Sequence, residues 1–246
     1  MTVQACAEIV HAGDPDRFAS AMTAPVADRE VLFPLYAFNL EIAKAPWMTQ
    51  EPIIAQMRLQ FWRDVLDEVE AGGVPRAHEV ARPLAEAIRA RNIPLAALRD
   101  MIDARLSDIS REPFEAPALL WSYLEKSAGG LMVASCAGLG FQGADAARRL
   151  GRAQGLASFI AALPQLSAHG WRPLDAGLLP AMARSALDDL VALRTTNFGR
   201  ATPAARAAWR TGGQLRRFLR NPEAAPDGSE FARRTSLVWK TLRRTW

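Results

Sequence analysis

Asp103, Arg105 and Asp108 stand at helical spacing, two carboxylates with a guanidinium between them. Such a set either turns one carboxylate, Asp108, into a cavity or closes an ion pair along a helix face. Nucleophilic chemistry has no comparable support. Ser127 and Ser158 have no histidine within helical reach, so a triad is not indicated. His11, His78 and His169 lie far apart in sequence. Cys6 and Cys136 form neither a CxxC nor a Cys/His spacing, so neither a zinc site nor a disulfide scaffold is expected, and no metal or cofactor is expected. Cys136 follows a stretch of small residues, Ala128 to Ser135, which reads as close helix packing or as a kink that opens a cavity. Its thiol is expected to be buried and inert, while Cys6 is placed near a mobile terminus.

Cations gather late in the chain. From Arg194 to Trp246 there are twelve basic and three acidic residues, a net of +9 against +4 for the whole. Arg206, Arg210, Arg216, Arg217, Arg220, Arg243 and Arg244 alternate with Trp209, Phe218, Trp239 and Trp246. A basic helical region with aromatic residues can lie on an anionic membrane surface or hold an acidic partner. It can equally be the solvated side of ordinary helices. No recognised motif supports nucleic-acid binding.

These residues must be carried by helices. Good helix formers dominate, and β-branched residues do not cluster in alternating runs. Ile53, Met57, Phe61 and Val65 recur every four residues, widened by Ile54, Trp62, Leu66 and Val69, which predicts an amphipathic helix burying that stripe. Further helices are expected over about 27–44, 94–109, 118–138, 144–163, 177–195, 202–219 and 229–246, joined by short Pro- or Gly-bearing linkers. Pro164 is expected to end the helix over 144–163. The fold class is all-α. Residues 1–246 read as one domain, with a basic region from about 194 to 246.

The chain is half apolar and 23% charged over 246 residues, which excludes disorder as its main state. No run of about 20 apolar residues appears, and the opening residues resemble neither a secretory signal nor a transit peptide. The expectation is a cytoplasmic protein, free or peripheral on the cytosolic face of the inner membrane. Arginine outnumbers lysine 27 to 3, the usage of a GC-rich bacterial genome.

An ordered series of strings resembles the squalene/phytoene synthase superfamily. It runs through Asp14-Pro-Asp-Arg-Phe18, Leu35-Tyr-Ala-Phe-Asn-Leu-Glu41, Leu59-Gln-Phe-Trp-Arg63, Met101 to Asp108, Tyr123 to Leu131, Leu150-Gly-Arg-Ala-Gln154 and Leu178-Leu-Pro180. The resemblance implies an isoprenoid-synthase helical bundle around a central cavity. It also implies what the chemistry would need: two Asp pairs, each at i and i+4 on facing helices, holding Mg²⁺ against a diphosphate leaving group. The matching positions here are Ala43 and Trp47 on one helix and Ala162 and Leu166 on the other, so all four carboxylates are absent. Arg, Gln and Asn of the family pattern are replaced by Leu40, Gly155 and Ser158. Glu41 points to another helix face, and Lys44 has the wrong sign for a metal.

Ala37 to Ala43, Met57 to Trp62, Gly151 to Gly155 and the segment Trp239 to Trp246 are most similar to the superfamily's non-enzymatic branch, which includes a mitochondrial complex I assembly factor. That resemblance implies a non-catalytic role in building respiratory complex I at the membrane surface, with complex I subunits or anionic membrane as partners. The alternatives are a prenyltransferase that uses unrecognised acids with Mg²⁺, or a carrier of an isoprenoid or other lipid. On the non-catalytic reading too a residual apolar cavity is expected to hold a lipid or quinone-like chain, and on every reading Tyr36, Phe38, Phe61, Trp62, Asp108, Gln154 and Ser158 are the expected cavity lining.

Overall fold

The computed structural model describes residues 2–222, 230–243 and 245–246, with residues 230–234 as backbone alone. No strand occurs among them. The helices are α1 Val3–Gly13, α2 Pro15–Met22, α3 Val26–Lys44, α4 Pro52–Glu70, α5 Ala81–Arg91, α6 Leu95–Ala104, α7 Leu106–Ser110, α8 Pro117–Leu124, α9 Gly130–Gly138, α10 Ala144–Ala168, α11 Leu179–Ala192, α12 Thr202–Ala205, α13 Thr211–Arg220 and α14 Glu230–Leu242. A single-turn π segment, Glu125–Gly129, joins α8 to α9, and a 3₁₀ turn, Ala45–Trp47, follows α3.

α3 is the central post. Every residue from Val31 to Asn39 is buried, as a helix surrounded by others must be. Around it α4, α5, α6, α9 and α12 close the larger apolar cluster through Leu59, Leu66, Leu84, Leu98, Met101 and Ala204. A second cluster joins α8, α10, α11 and α13 through Leu124, Leu156, Phe159, Met182 and Leu215. Burial of such side chains contributes roughly 1.5–3 kcal/mol each, so the two clusters supply most of what offsets chain entropy.

Buried acids fasten the helices. Asp28 is fully buried in the first turn of α3 and accepts from Arg200 Nε at 3.0 Å. Asp189 of α11 accepts from Arg149 at 2.8 Å and from Arg152 at 2.7 Å, and Arg152 also donates to Glu125 of the π segment. α2 is tied to the chain's far region: Arg210 donates to Asp16 at 2.6 Å, Ser20 to the Pro203 carbonyl at 2.6 Å, and Arg206 to Thr23 at 3.1 Å.

Five expectations from sequence require correction. Cys6 is not on a mobile end; it is fully buried in α1, and its Sγ lies 3.7 Å from the Glu79 carbonyl. The helix expected over 94–109 breaks at Arg105 into α6 and α7. α10 runs through Pro164 to Ala168, because Pro164 is exposed near the helix end and water can satisfy the carbonyl its ring leaves unbonded. The stripe on α4 is rotated: Ala55, Leu59, Trp62, Val65, Leu66 and Val69 face the core, while Ile53 and Met57 are 59% and 66% exposed. Finally, the helix expected over 202–219 is interrupted by turns at 206–210. No helix among the described residues is long and apolar enough to cross a membrane.

Candidate functional site

The seam between the two apolar clusters leaves a cavity of about 210 Å³. α2 supplies Arg17, α3 supplies Asn39, and the 3₁₀ turn supplies Trp47. The break between α6 and α7 brings in Arg105 and Asp108, α8 and the π segment bring Tyr123 and Ser127, and α10 brings Ser158, Phe159, Ala162 and Leu166. Trp171 completes the wall.

Small residues make this wall close. A Cβ added to Gly151 would stand 2.6 Å from the Ala128 carbonyl oxygen, and one on Gly155 would stand 2.6 Å from the Ala128 Cβ. α10 therefore rests directly on the π segment's backbone. The sequence left close packing and a kink as alternatives for this stretch; the close packing is present, and the π segment overlaps its start at Ala128 and Gly129.

Its polar centre is a three-member network. Arg105 Nη1 donates to Tyr123 Oη at 2.6 Å and to Asp108 Oδ2 at 3.1 Å, and Tyr123 Oη donates to the same oxygen at 3.2 Å. Burial pushes the Asp108 carboxyl above the usual carboxylate range, although Arg105 and Tyr123 act against it. Burial also pushes the Tyr123 phenol up. Asp108 Oδ1 and Arg105 Nε have no hydrogen-bond partner. The acid thus both faces the cavity and closes an ion pair, the two readings its spacing allowed. Asp103 is engaged elsewhere, by Arg63 at 2.5 Å.

Arg17 adds a second guanidinium, bonded to Asp14 at 2.5 Å and to Gln154 Oε1 at 2.8 Å. Magnesium takes near-octahedral oxygen ligands at about 2.0–2.1 Å. This lining offers one carboxylate, already held by a guanidinium and a phenol, beside a further cation. It does not fit that ion. Among the described residues no group of three or more His, Cys, Asp and Glu stands together.

The residues singled out from sequence divide cleanly. Trp47, Asp108, Ser158, Ala162 and Leu166 line the one cavity. Ala43 is half-buried a turn before Trp47 and outside the lining. Gln154 is buried behind the wall, where it holds Arg17. Tyr36, Phe38, Phe61 and Trp62 do not line the cavity. Phe38 packs edge-on to Trp62 at 5.3 Å and Phe61 to Trp62 at 5.2 Å, so this aromatic group fills the space between α3 and α4. Tyr36 is 2% exposed within the main cluster. Sequence reasoning missed Arg17, Asn39, Tyr123 and Trp171. Arg17, Asn39 and Tyr123 lie within strings quoted for the family resemblance, which was the available signal; Trp171 carried none.

The basic region also departs from expectation. Arg206 is 5% exposed and donates to the Thr245 carbonyl at 2.8 Å. Arg210 is held by Asp16. Neither belongs to a solvated patch. Their surroundings satisfy them, a condition that charge counting along the sequence does not register. Arg216 and Arg220 are exposed, Arg217 is half-buried, and Arg243 lies 4.8 Å over the Trp239 ring. Arg244 lies outside the described residues.

Comparison with known proteins adds three findings. Residues 10–217 match the family model for squalene/phytoene synthase. Among curated proteins, the chain is 29% identical over 182 residues to NADH dehydrogenase (ubiquinone) complex I, assembly factor 6 of Bos taurus, covering 71% of this chain and 54% of that protein. It is 28% identical to the Homo sapiens protein of the same name over the same shares, and 31% identical to the Drosophila melanogaster homolog over 65% of this chain and 50% of that one. The chain spans about half the length of the curated relatives it matches. Among solved structures, a dehydrosqualene synthase superposes with a TM-score of 0.81 at 15% identity, over 99% of this chain and 97% of that one. A squalene synthase from Alicyclobacillus acidocaldarius gives 0.61 at 17%, over 98% and 93%. At these identities the likeness shows the fold alone.

Proposed function

The chain belongs to the squalene/phytoene synthase family, and we propose that it is a non-catalytic member that acts in the assembly of respiratory complex I at a membrane surface. One observation carries the first half. At the positions that would carry metal-holding carboxylates, Trp47, Ala162 and Leu166 instead wall a cavity of about 210 Å³. Pockets for drug-sized ligands run to about 300–1,000 Å³, so this one is too small for a pair of isoprenoid diphosphates. The acid that remains, Asp108, is held by Arg105 and Tyr123. This lining supports a scaffold kept without the electrostatic machinery that such catalysis needs.

The second half is supported by the names of the curated relatives, complex I assembly factors in cattle, humans and flies. It is a statement about partners, and it is tested in the cell. Deleting the gene should lower the level and NADH-driven activity of complex I, and the intact gene should restore both. Unchanged complex I would overturn the assembly role. Incubating the purified chain with farnesyl diphosphate and Mg²⁺ should give no coupled product, and sustained turnover would overturn the non-catalytic role.

A further inference from the structure

Arg206 and Arg210 are withdrawn into the fold, Arg200 is held by Asp28, and four other cations of the late region share one groove. A groove of about 920 Å³ runs between α11, α13 and α14. Arg194, Arg216, Lys240 and Arg243 line it, and among the described residues no aspartate or glutamate does. Arg194, Arg216 and Arg243 form no ion pair with an aspartate or glutamate among the described residues. Lys240 donates to the main-chain oxygen of Trp246 at 2.6 Å, which seats α14 against the segment that follows it.

The outer side of α14 is the second observation. A helix face turned to water ordinarily carries polar side chains. Here Val238, Trp239 and Leu242 are 56%, 59% and 75% exposed, and Val191 stands 63% exposed across the groove. Apolar and indole side chains beside unpaired cations are the composition of a helix that lies in the headgroup boundary of a bilayer.

We propose that this groove and the outer face of α14 dock the protein on an anionic lipid surface. Trp239 and Leu242 enter the headgroup boundary, and Arg194, Arg216 and Arg243 meet lipid phosphates. An acidic peptide would satisfy the cations but leave Val238 and Leu242 in water, and that decides for lipid. The inference supplies the contact surface for the membrane setting named above and rests on that reading. Its test needs no complex I, so the two fail separately.

The full chain is floated with phosphatidylcholine vesicles containing or lacking phosphatidylglycerol, at low and high salt. It should bind only the anionic vesicles, and salt should release it. Arg194→Glu with Arg216→Glu and Arg243→Glu should weaken binding on the order of a hundredfold. Arg82→Glu with Arg172→Glu and Arg184→Glu makes the same change in net charge on other exposed faces, and should leave affinity nearly unchanged. Trp239→Ala with Leu242→Ser should cost on the order of tenfold. Because both residues are exposed, this pair keeps the test sharp should the charge-reversed groove fail to fold. Equal loss from the two charge sets would reduce the effect to net charge and overturn the proposal. So would no loss from the Trp239 and Leu242 pair, or binding to soluble polyglutamate without binding to anionic vesicles.

Discussion

The contact between α10 and the π segment can be broken with one methyl group. In Gly151→Ala the new Cβ meets the Ala128 carbonyl oxygen at 2.6 Å, Met132 Cβ at 2.7 Å and Gly129 Cα at 2.8 Å. No rotamer relieves a clash with backbone, so the helix itself must move. Overpacking of this kind costs about 3 kcal/mol. Replacing a mid-helix glycine with alanine returns about 1 kcal/mol. The net is a loss of about 2 kcal/mol, which lowers the melting temperature of a chain this size by about 4–8 °C. Gly213→Ala is the matched control. That helical glycine has nothing within 4 Å of its added Cβ, so the alanine should stabilise by about 0.5–1 kcal/mol. Thermal and urea unfolding of both variants beside the parent reads the difference directly. A Gly151→Ala midpoint at or above that of the parent would refute the claim that the wall is set by backbone approach.

Two further predictions concern buried titrating groups. Burial raises the Asp108 pKa in the folded state, so its contribution to stability is fully present below the unfolded value near about 3.9 and is lost as pH rises through the raised folded value. The stability of the parent relative to Asp108→Asn should therefore fall as pH rises above about 4 in paired urea titrations; a constant or rising difference would contradict it. Burial pushes both the Cys6 and the Cys136 thiol up to about 12, with Glu79 adding to the effect at Cys6. At mildly alkaline pH a thiol reagent should label the native chain only as fast as the chain unfolds, whereas rapid labelling of either cysteine would show an open site.

α3 and α4 were legible almost to the residue, because their apolar content and flanking prolines leave little choice of secondary structure. Which side of α4 turns inward was not. Ile53 and Met57 continue the four-residue repeat as well as any core residue, and only the packing of neighbouring helices leaves them outside. α5 was not among the expected helices; its Pro83 sits in the first turn, where the missing N–H costs nothing. The ring of Trp47, Ala162 and Leu166 was visible only through the family pattern, since three unremarkable residues announce a site by what they replace. The aromatic residues misled for a related reason: large apolar side chains serve a core and a cavity wall equally, and only their partners distinguish the two.

The bonds from α2 to the chain's late region have a consequence for biosynthesis. Asp16, Ser20 and Thr23 find their partners 194, 183 and 183 residues downstream. At ordinary translation rates the emerging α2 waits roughly 10–40 s before those partners leave the ribosome. During that interval its inward face is open to chaperones. Pairings so distant in sequence close late, so the register of the bundle is fixed only when the final quarter of the polypeptide arrives.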